Sequence, residues 1–231
     1  MKNFSKIIFN QIRSVVFGVE DGLLSTLGVM TGIAAGTNNK GVIILSGFVV
    51  VLVEALSMGA GTYLSSKSEK QAQEKLVREE LERIKQNPEE ERKELVKMYE
   101  KRGYHKSEID RMVNHVMKDE KLLLEEMAHK ELGIITGKTD NSIKSSLYMF
   151  FSYIIAGFIV VVPYVLPSVK AGIIVSIIIA ALGLFLLGYY KGHLTDINKK
   201  KSGLEMLIIA IVVALAGYII GYIIGHIIGL L

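Results

Sequence analysis

The chain of 231 residues contains no cysteine and no tryptophan, and only three prolines. Without cysteine there is no disulfide scaffold, thiolate metal site, iron–sulfur cluster or thiol nucleophile. Charge is scarce too, but only in part of the chain. Outside residues 65–145 there are just 5 of the 23 acids and 9 of the 27 bases. Residues 65–145 hold 18 of each sign and are locally neutral, so the net charge of +4 comes from basic flanks of apolar segments. Such flanks do not form a nucleic-acid-binding face, and no nucleic-acid partner is expected. Half of the chain is hydrophobic (50%) and its mean hydropathy is +0.38, values a soluble domain seldom shows. The composition points to an all-α polytopic membrane protein with one soluble insert.

A crossing helix needs about 20 mostly apolar residues. Ser145–Val169, Ala171–Tyr190 and Met206–Leu231 meet that need, the first turning at Pro163 and Pro167 and the last carrying only His226. Ser14–Gly36 and Gly41–Ser66 also qualify, although Glu20 and Asp21 interrupt one and Glu54 the other. Five spans are therefore expected. Lys2, Lys6 and Arg13 precede the first, and Lys191, Lys199, Lys200 and Lys201 follow the fourth, while the alternate loops hold only Lys40 and Lys170. By the positive-inside rule the N-terminus, the insert and the loop 191–203 are cytoplasmic and the C-terminus lies on the opposite side. Glu20-Asp21 interrupts the first apolar run and no small-x-small site follows it, so no cleaved signal peptide is expected.

This divides the chain into residues 1–66 with spans one and two, a helical insert at 67–144, and residues 145–231 with spans three to five. From Thr62 to Asn87 there is neither Gly nor Pro, and Glu, Lys, Gln, Arg and Leu dominate. The second span should run on as a long helix that Asn87-Pro88 stops. Helices are then expected at Pro88–Lys101, at Glu108–Lys118 capped by Ser107, and at Asp119–Leu132 ending at Gly133. No internal repeat or low-complexity tract is evident.

An ionisable side chain within a span costs about 2.5–3.5 kcal/mol on insertion scales, so it generally faces a polar pathway or a partner. On a helix, Asp21 shares a face with Ser25, Gly28, Gly32 and Gly36, opposite Leu23, Leu27, Val29 and Met30. Glu54 shares a face with Gly47, Met58 and Gly61. Asp21, Glu54 and Met58 are thus candidate pathway residues, and Glu20 reads as interfacial. Gly28, Gly32 and Gly36, like Gly217, Gly221, Gly225 and Gly229, read as packing seams, with His226 a polar packing contact.

The insert offers carboxylates, four methionines (Met98, Met112, Met117, Met127) and three histidines (His105, His115, His129). Carboxylate oxygens favour divalent ions such as Mg, Mn and Fe(II), and a thioether shifts the preference toward softer metals. Glu91 and Glu94, and Met127 and Glu131, share helix faces by spacing. Alternating Glu and Lys on an exposed helix is, however, more often a solvated surface laced with i,i+4 pairs.

Val19–Gly32 (VEDGLLSTLGVMTG) followed by Leu56–Lys70 (LSMGAGTYLSSKSEK) resembles the first two spans of the vacuolar iron transporter family. The acidic insert ending in Glu131-Leu132-Gly133, and the three spans after it, fit the layout of members with a cytoplasmic metal-binding domain. The resemblance implies a homodimer that moves Fe(II) out of the cytosol in exchange for protons, with Asp21 and Met58 lining the pathway. The family's second-span acid falls on Val50, and in this chain the acid stands at Glu54, one turn nearer Met58. Family ligands in the insert fall on Glu80, Glu91, Glu94, Met127 and Glu131. Another falls on Arg83, a loss that Glu79 or Glu82 could offset, and Glu126 is a further candidate.

On this reading the insert collects the metal and passes it to Asp21, Glu54 and Met58. Protonation of the carboxylates on the outer side then releases it. No permanently bound cofactor is expected; Fe(II) is cargo, with Mn(II), Co(II) and Zn(II) as possible substitutes, and the lipid bilayer, in a cell membrane or a vacuolar one, is the surroundings. Two rivals stand: a carrier of the same shape preferring Mn(II), and a membrane-anchored iron store or sensor. An enzyme is not expected, because the insert lacks the paired Glu-x-x-His motifs of di-iron bundles.

Overall fold

The structure, a computed structural model, describes residues 2–130, 133 and 141–229, with residues 2–10 as backbone alone. The described residues form eight α-helices and one 3-10 turn: α1 (Lys2–Gly36), α2 (Lys40–Gln86), α3 (Pro88–Lys101), α4 (Lys106–Val116), α5 (Glu120–Lys130), α6 (Ser142–Val161) extended by the 3-10 turn Val162–Val165, α7 (Val169–Leu194) and α8 (Lys199–Ile227). No strand occurs among them. Five helices are long and apolar enough to cross a membrane: α1 from Gln11, α2, α6 with its 3-10 turn, α7 and α8. The chain divides into two compact units, Met1–Tyr63 with Ser142–Leu231, and Leu64–Asn141.

Local chemistry accounts for most boundaries. Gly36 ends α1, and the Asn39 carboxamide accepts the Val42 N–H at 3.1 Å to open α2. With no Gly or Pro after Thr62, α2 continues unbroken for 47 residues, roughly 70 Å at 1.5 Å per residue. Pro88 occupies the first turn of α3, where a missing N–H costs nothing. One expected cap differs. Ser107 lies inside α4, which is opened by His105, because the Glu108 carboxylate accepts the His105 backbone N–H at 2.9 Å and closes the terminus two residues upstream. Asp119 opens α5 by accepting from Lys121 and Leu122 N–H, whereas Leu132 lies outside the described residues.

In the spanning unit the core lies where α1, α6, α7 and α8 meet, around Leu23, Leu27, Val160, Leu184, Met206 and Ala210. A second cluster joins α2 to α1 and α6 through Met30, Ile43, Val51, Val161 and Tyr164. Leu23, Leu27 and Met30 face inward as the helical wheel implies. Val29 does not belong with them. It lines the groove beside Gly28 and Gly32, since it stands one turn beyond Ser25 on the same side. The outer faces carry large exposed apolar side chains, such as Leu45, Phe48, Leu52 and Leu56 on α2 and Ile208, Val212 and Ile219 on α8. That is the inverted pattern a hydrocarbon solvent selects.

Glycine sets the spacing of α1 from two neighbours. A Cβ on Gly18 would stand 2.9 Å from the Met149 carbonyl oxygen, and one on Gly22 2.8 Å from that of Tyr153, both on α6. Toward the other end of α1, Gly28, Gly32 and Gly36 meet Gly217, Gly221 and Gly225 of α8 in a ladder of near backbone contact. A Cβ on Gly225 would be 2.5 Å from the Gly36 oxygen. The two repeats read as seams in the sequence thus pack against each other, as small residues in membrane helices do, except that Gly229 lies past the end of α8 in open space with φ of +71°. Thr31 adds a hydrogen bond to the Leu27 carbonyl at 2.7 Å and reaches the Ala214 carbonyl at 3.4 Å.

In the second unit, Ile84, Leu95, Tyr99, Ile109, Val113, Leu123 and Met127 form a single apolar core. A polar cluster closes one side of it. The Tyr99 hydroxyl donates to Glu126 Oε1 at 2.7 Å, Lys130 pairs with the same carboxylate, and the Lys130 ammonium lies 3.8 Å from the centre of the Tyr99 ring. Burial pushes the Tyr99 phenol up, and the bond to Glu126 pushes it further. Burial alone would raise the Glu126 carboxyl, but hydrogen bonds from Lys130 and Tyr99 outweigh it and hold the carboxyl below its ordinary range.

Two outcomes are expected. Gly221→Ala drives a methyl into the Gly32 carbonyl, a backbone atom that cannot swing aside. It should cost about 1–3 kcal/mol, read as a lower unfolding midpoint in detergent. Glu126→Gln should loosen the second unit by about 1 kcal/mol at neutral pH. Because the folded carboxyl is held low, that stabilisation is present above the unfolded-chain pKa and lost as pH falls through the folded one. The difference between variant and wild type, read by hydrogen exchange of α3 and α5 in the full chain, should therefore close in acid.

Candidate functional site

Asp21 lies on the face of α1 that turns from the core, half-buried and followed one turn later by Ser25. Both line a groove of about 860 Å³ between α1, α2 and α8. The groove continues past Gly28, Gly32 and Gly36 to Thr37, while Val42 and Ser46 contribute from α2. Along that part the glycines of α1 and α8 alternate with apolar side chains such as Val29, Ile33, Val213, Ile220 and Ile224.

Glu54 projects from α2 and is half-buried. Two hydroxyls donate to one of its oxygens, Oε2: Ser25 of α1 at 2.6 Å, and Tyr153 of α6. Three spans therefore converge on one carboxylate. Ser25 belongs both to the groove and to this cluster, so it links Asp21 on its own helix to Glu54 on the next. Met58 follows Glu54 by one turn and is also half-buried, its carbonyl accepting from Thr62 at 2.8 Å. Val50, one turn before Glu54, is half-buried and brings no polar atom. Gly61 has open space around it, whereas Gly47 packs on the Met30 sulfur.

Tyr153 carries no mark in the sequence beyond being a phenol in the middle of an uncharged span. A tyrosine buried to 0% exposure needs a partner for its hydroxyl, and that partner is Glu54. Room for it is made by Gly22, the glycine after Asp21, against which the Tyr153 backbone lies.

The candidate residues of the insert are treated differently from one another. Glu80 is buried on α2 in an ion pair with Arg83. Glu91 is buried on α3, and Glu94 one turn later is half-buried. Glu79 is exposed and pairs with Lys75 at 3.5 Å, while Glu82 is exposed. Met127 is fully buried in the core, next to the Glu126 that Tyr99 and Lys130 hold. Glu131 lies outside the described residues. Among the described residues no three His, Asp or Glu side chains are gathered closely enough to hold a metal ion unaided.

Residues 12–222 match the VIT family. The chain is 29% identical over 202 residues to vacuolar iron transporter 1 of Arabidopsis thaliana, covering 87% of this chain and 81% of that one. It is 27% identical over 202 residues to vacuolar iron transporter 1 of Eucalyptus grandis, with the same coverage. The vacuolar iron transporter of Plasmodium falciparum is 27% identical over 216 residues, 88% of this chain and 78% of that one. The match takes in all five apolar helices and the helices between the second and third, and the chain belongs to the VIT family.

Proposed function

We propose that this protein is a divalent-metal carrier that moves Fe(II) out of the cytosol in exchange for protons, using Asp21, Glu54 and Met58. The observation that carries this reading is the half-buried Glu54 within a span, hydrogen-bonded to Ser25 one turn from Asp21 on a membrane groove. Lipid does not tolerate such acids without a purpose or a partner. The names of the relatives, vacuolar iron transporters from two plants and a parasite, support iron as the cargo.

The chemistry follows from the residue types. Two carboxylates close enough to repel one another are stabilised by a divalent cation and lose their hold on it when protonated. A thioether from Met58 adds a soft contact that disfavours Mg and Ca. A cation entering from the cytoplasmic side would rest on these groups until protons arriving from the other side displace it. The basic flanks support a cytoplasmic N-terminus and insert, with the C-terminus opposite. A second copy packed along the groove would double the carboxylates, so the carrier is proposed to act as a homodimer, in a cell membrane or, in a eukaryote, a vacuolar one.

The insert glutamates Glu79, Glu80, Glu91, Glu94 and Glu131 are proposed to gather the cation before transfer. Glu126 and Met127 could join only if Lys130 released its partner and the core opened. In proteoliposomes, Fe(II) uptake should depend on an opposing pH gradient, with Mn(II), Co(II) and Zn(II) as competitors that rank the preference. Glu54→Gln and Asp21→Asn should each reduce uptake to background. Full uptake in both would remove these residues from the pathway, and metal binding by the wild type without any uptake would favour an anchored store.

A further inference from the structure

Glu54 accepts two hydrogen bonds on one oxygen and, among the described residues, none on the other. Ser25 and Tyr153 both donate to Oε2, from α1 and α6, which pack against each other. A hydroxyl has a single proton to give, so both are used in holding this carboxylate as an acceptor. Free glutamate turns about three side-chain bonds, and ordering such a side chain costs conformational entropy. The two donors meet that cost before any cargo arrives, which is how a binding group is preorganised. Of the two, Tyr153 is fully buried, whereas Ser25 is half-buried and lies on the groove with Asp21.

We propose that Ser25 is the positioning residue of the membrane site: its hydroxyl, with Tyr153 behind it, pins Glu54 Oε2 to α1 and leaves Oε1 to bind the cation or the proton. The inference rests on the carrier reading and concerns how one of its ligands is held. Ser25 stands one turn from Asp21 on the same helix face, so pinning Glu54 to Ser25 also fixes the separation of the two carboxylates. A cation that needs both would otherwise have to find Glu54 among its rotamers. Loss of the hydroxyl should therefore weaken capture more than it slows passage.

The test uses full-length protein in liposomes with Fe(II) as the probe. Ser25→Ala should raise the apparent KM for Fe(II) about tenfold, the factor one hydrogen bond to a charged group carries, with Vmax changed by no more than about twofold. Ser25→Thr, which keeps a hydroxyl at the same place, should restore KM to within about threefold. The infrared carboxylate stretch of Glu54, identified by its loss in Glu54→Gln, should move in Ser25→Ala and return in Ser25→Thr. An unmoved band overturns the inference, and so does a moved band with an unchanged KM. Because the band is read without transport, a wild-type protein that carries no metal would count against the carrier and still leave the Ser25–Glu54 bond to be judged.

Discussion

A carboxylate placed in hydrocarbon loses its water, and the protein has to supply what the water supplied. In this chain that task falls to two hydroxyls, Ser25 of α1 and Tyr153 of α6, which converge on a single oxygen of Glu54. Those two bonds tie α2 to α1 and to α6. The α6 backbone that carries this phenol can lie close to α1 because Gly18 and Gly22 have no side chain where the Met149 and Tyr153 carbonyls press against them. The glycine that follows Asp21 is thus a steric requirement of the same cluster. Met58 stands one turn beyond Glu54 on α2.

The far half of α1 uses glycine for another purpose. Gly28, Gly32 and Gly36 bring the backbone of α8 into contact through Gly217, Gly221 and Gly225. Water-driven burial does not favour helix association in lipid, so the attraction must come from van der Waals contact over closely fitted backbones. The groove that begins at Asp21 and Ser25 runs beside that seam, lined by its glycines and by apolar neighbours such as Ile33, Val213 and Ile220. One run of small residues therefore provides both the adhesion of two helices and part of the groove's lining.

In the second unit Glu80 and Glu126 are held by pairing. Glu80 is buried with Arg83 beside it, and Glu126 is held by Lys130 and Tyr99 at the edge of a core of Ile84, Leu95, Val113 and Met127. Each of these carboxylates already has a protein cation, in contrast to Glu54, which is held by neutral donors alone among the described residues. A neutral donor orients a carboxylate without cancelling its charge. That difference leaves Glu54 oriented but still charged, whereas Glu80 and Glu126 are already offset by a neighbouring base.

Several features could be read from the chain alone, because they depend on properties that repeat along it. Apolar runs of about 20 residues identified five spans, the uninterrupted helix formers after Thr62 carried α2 on to Gln86, and Pro88 opened α3. Four-residue glycine spacing identified both sides of the α1–α8 seam. Isolated acids in spans singled out Asp21 and Glu54, since charge in lipid is conspicuous whatever surrounds it. The partners of those acids could not be read this way. Tyr153 is 99 residues from Glu54, and nothing in an uncharged span distinguishes a tyrosine that bonds a carboxylate from one that faces lipid. The burial of Met127, the cap at His105 and the turn of Val29 into the groove likewise depend on which helix lies opposite. Helical periodicity gives a side chain its direction, but only the packed neighbours decide what it meets there.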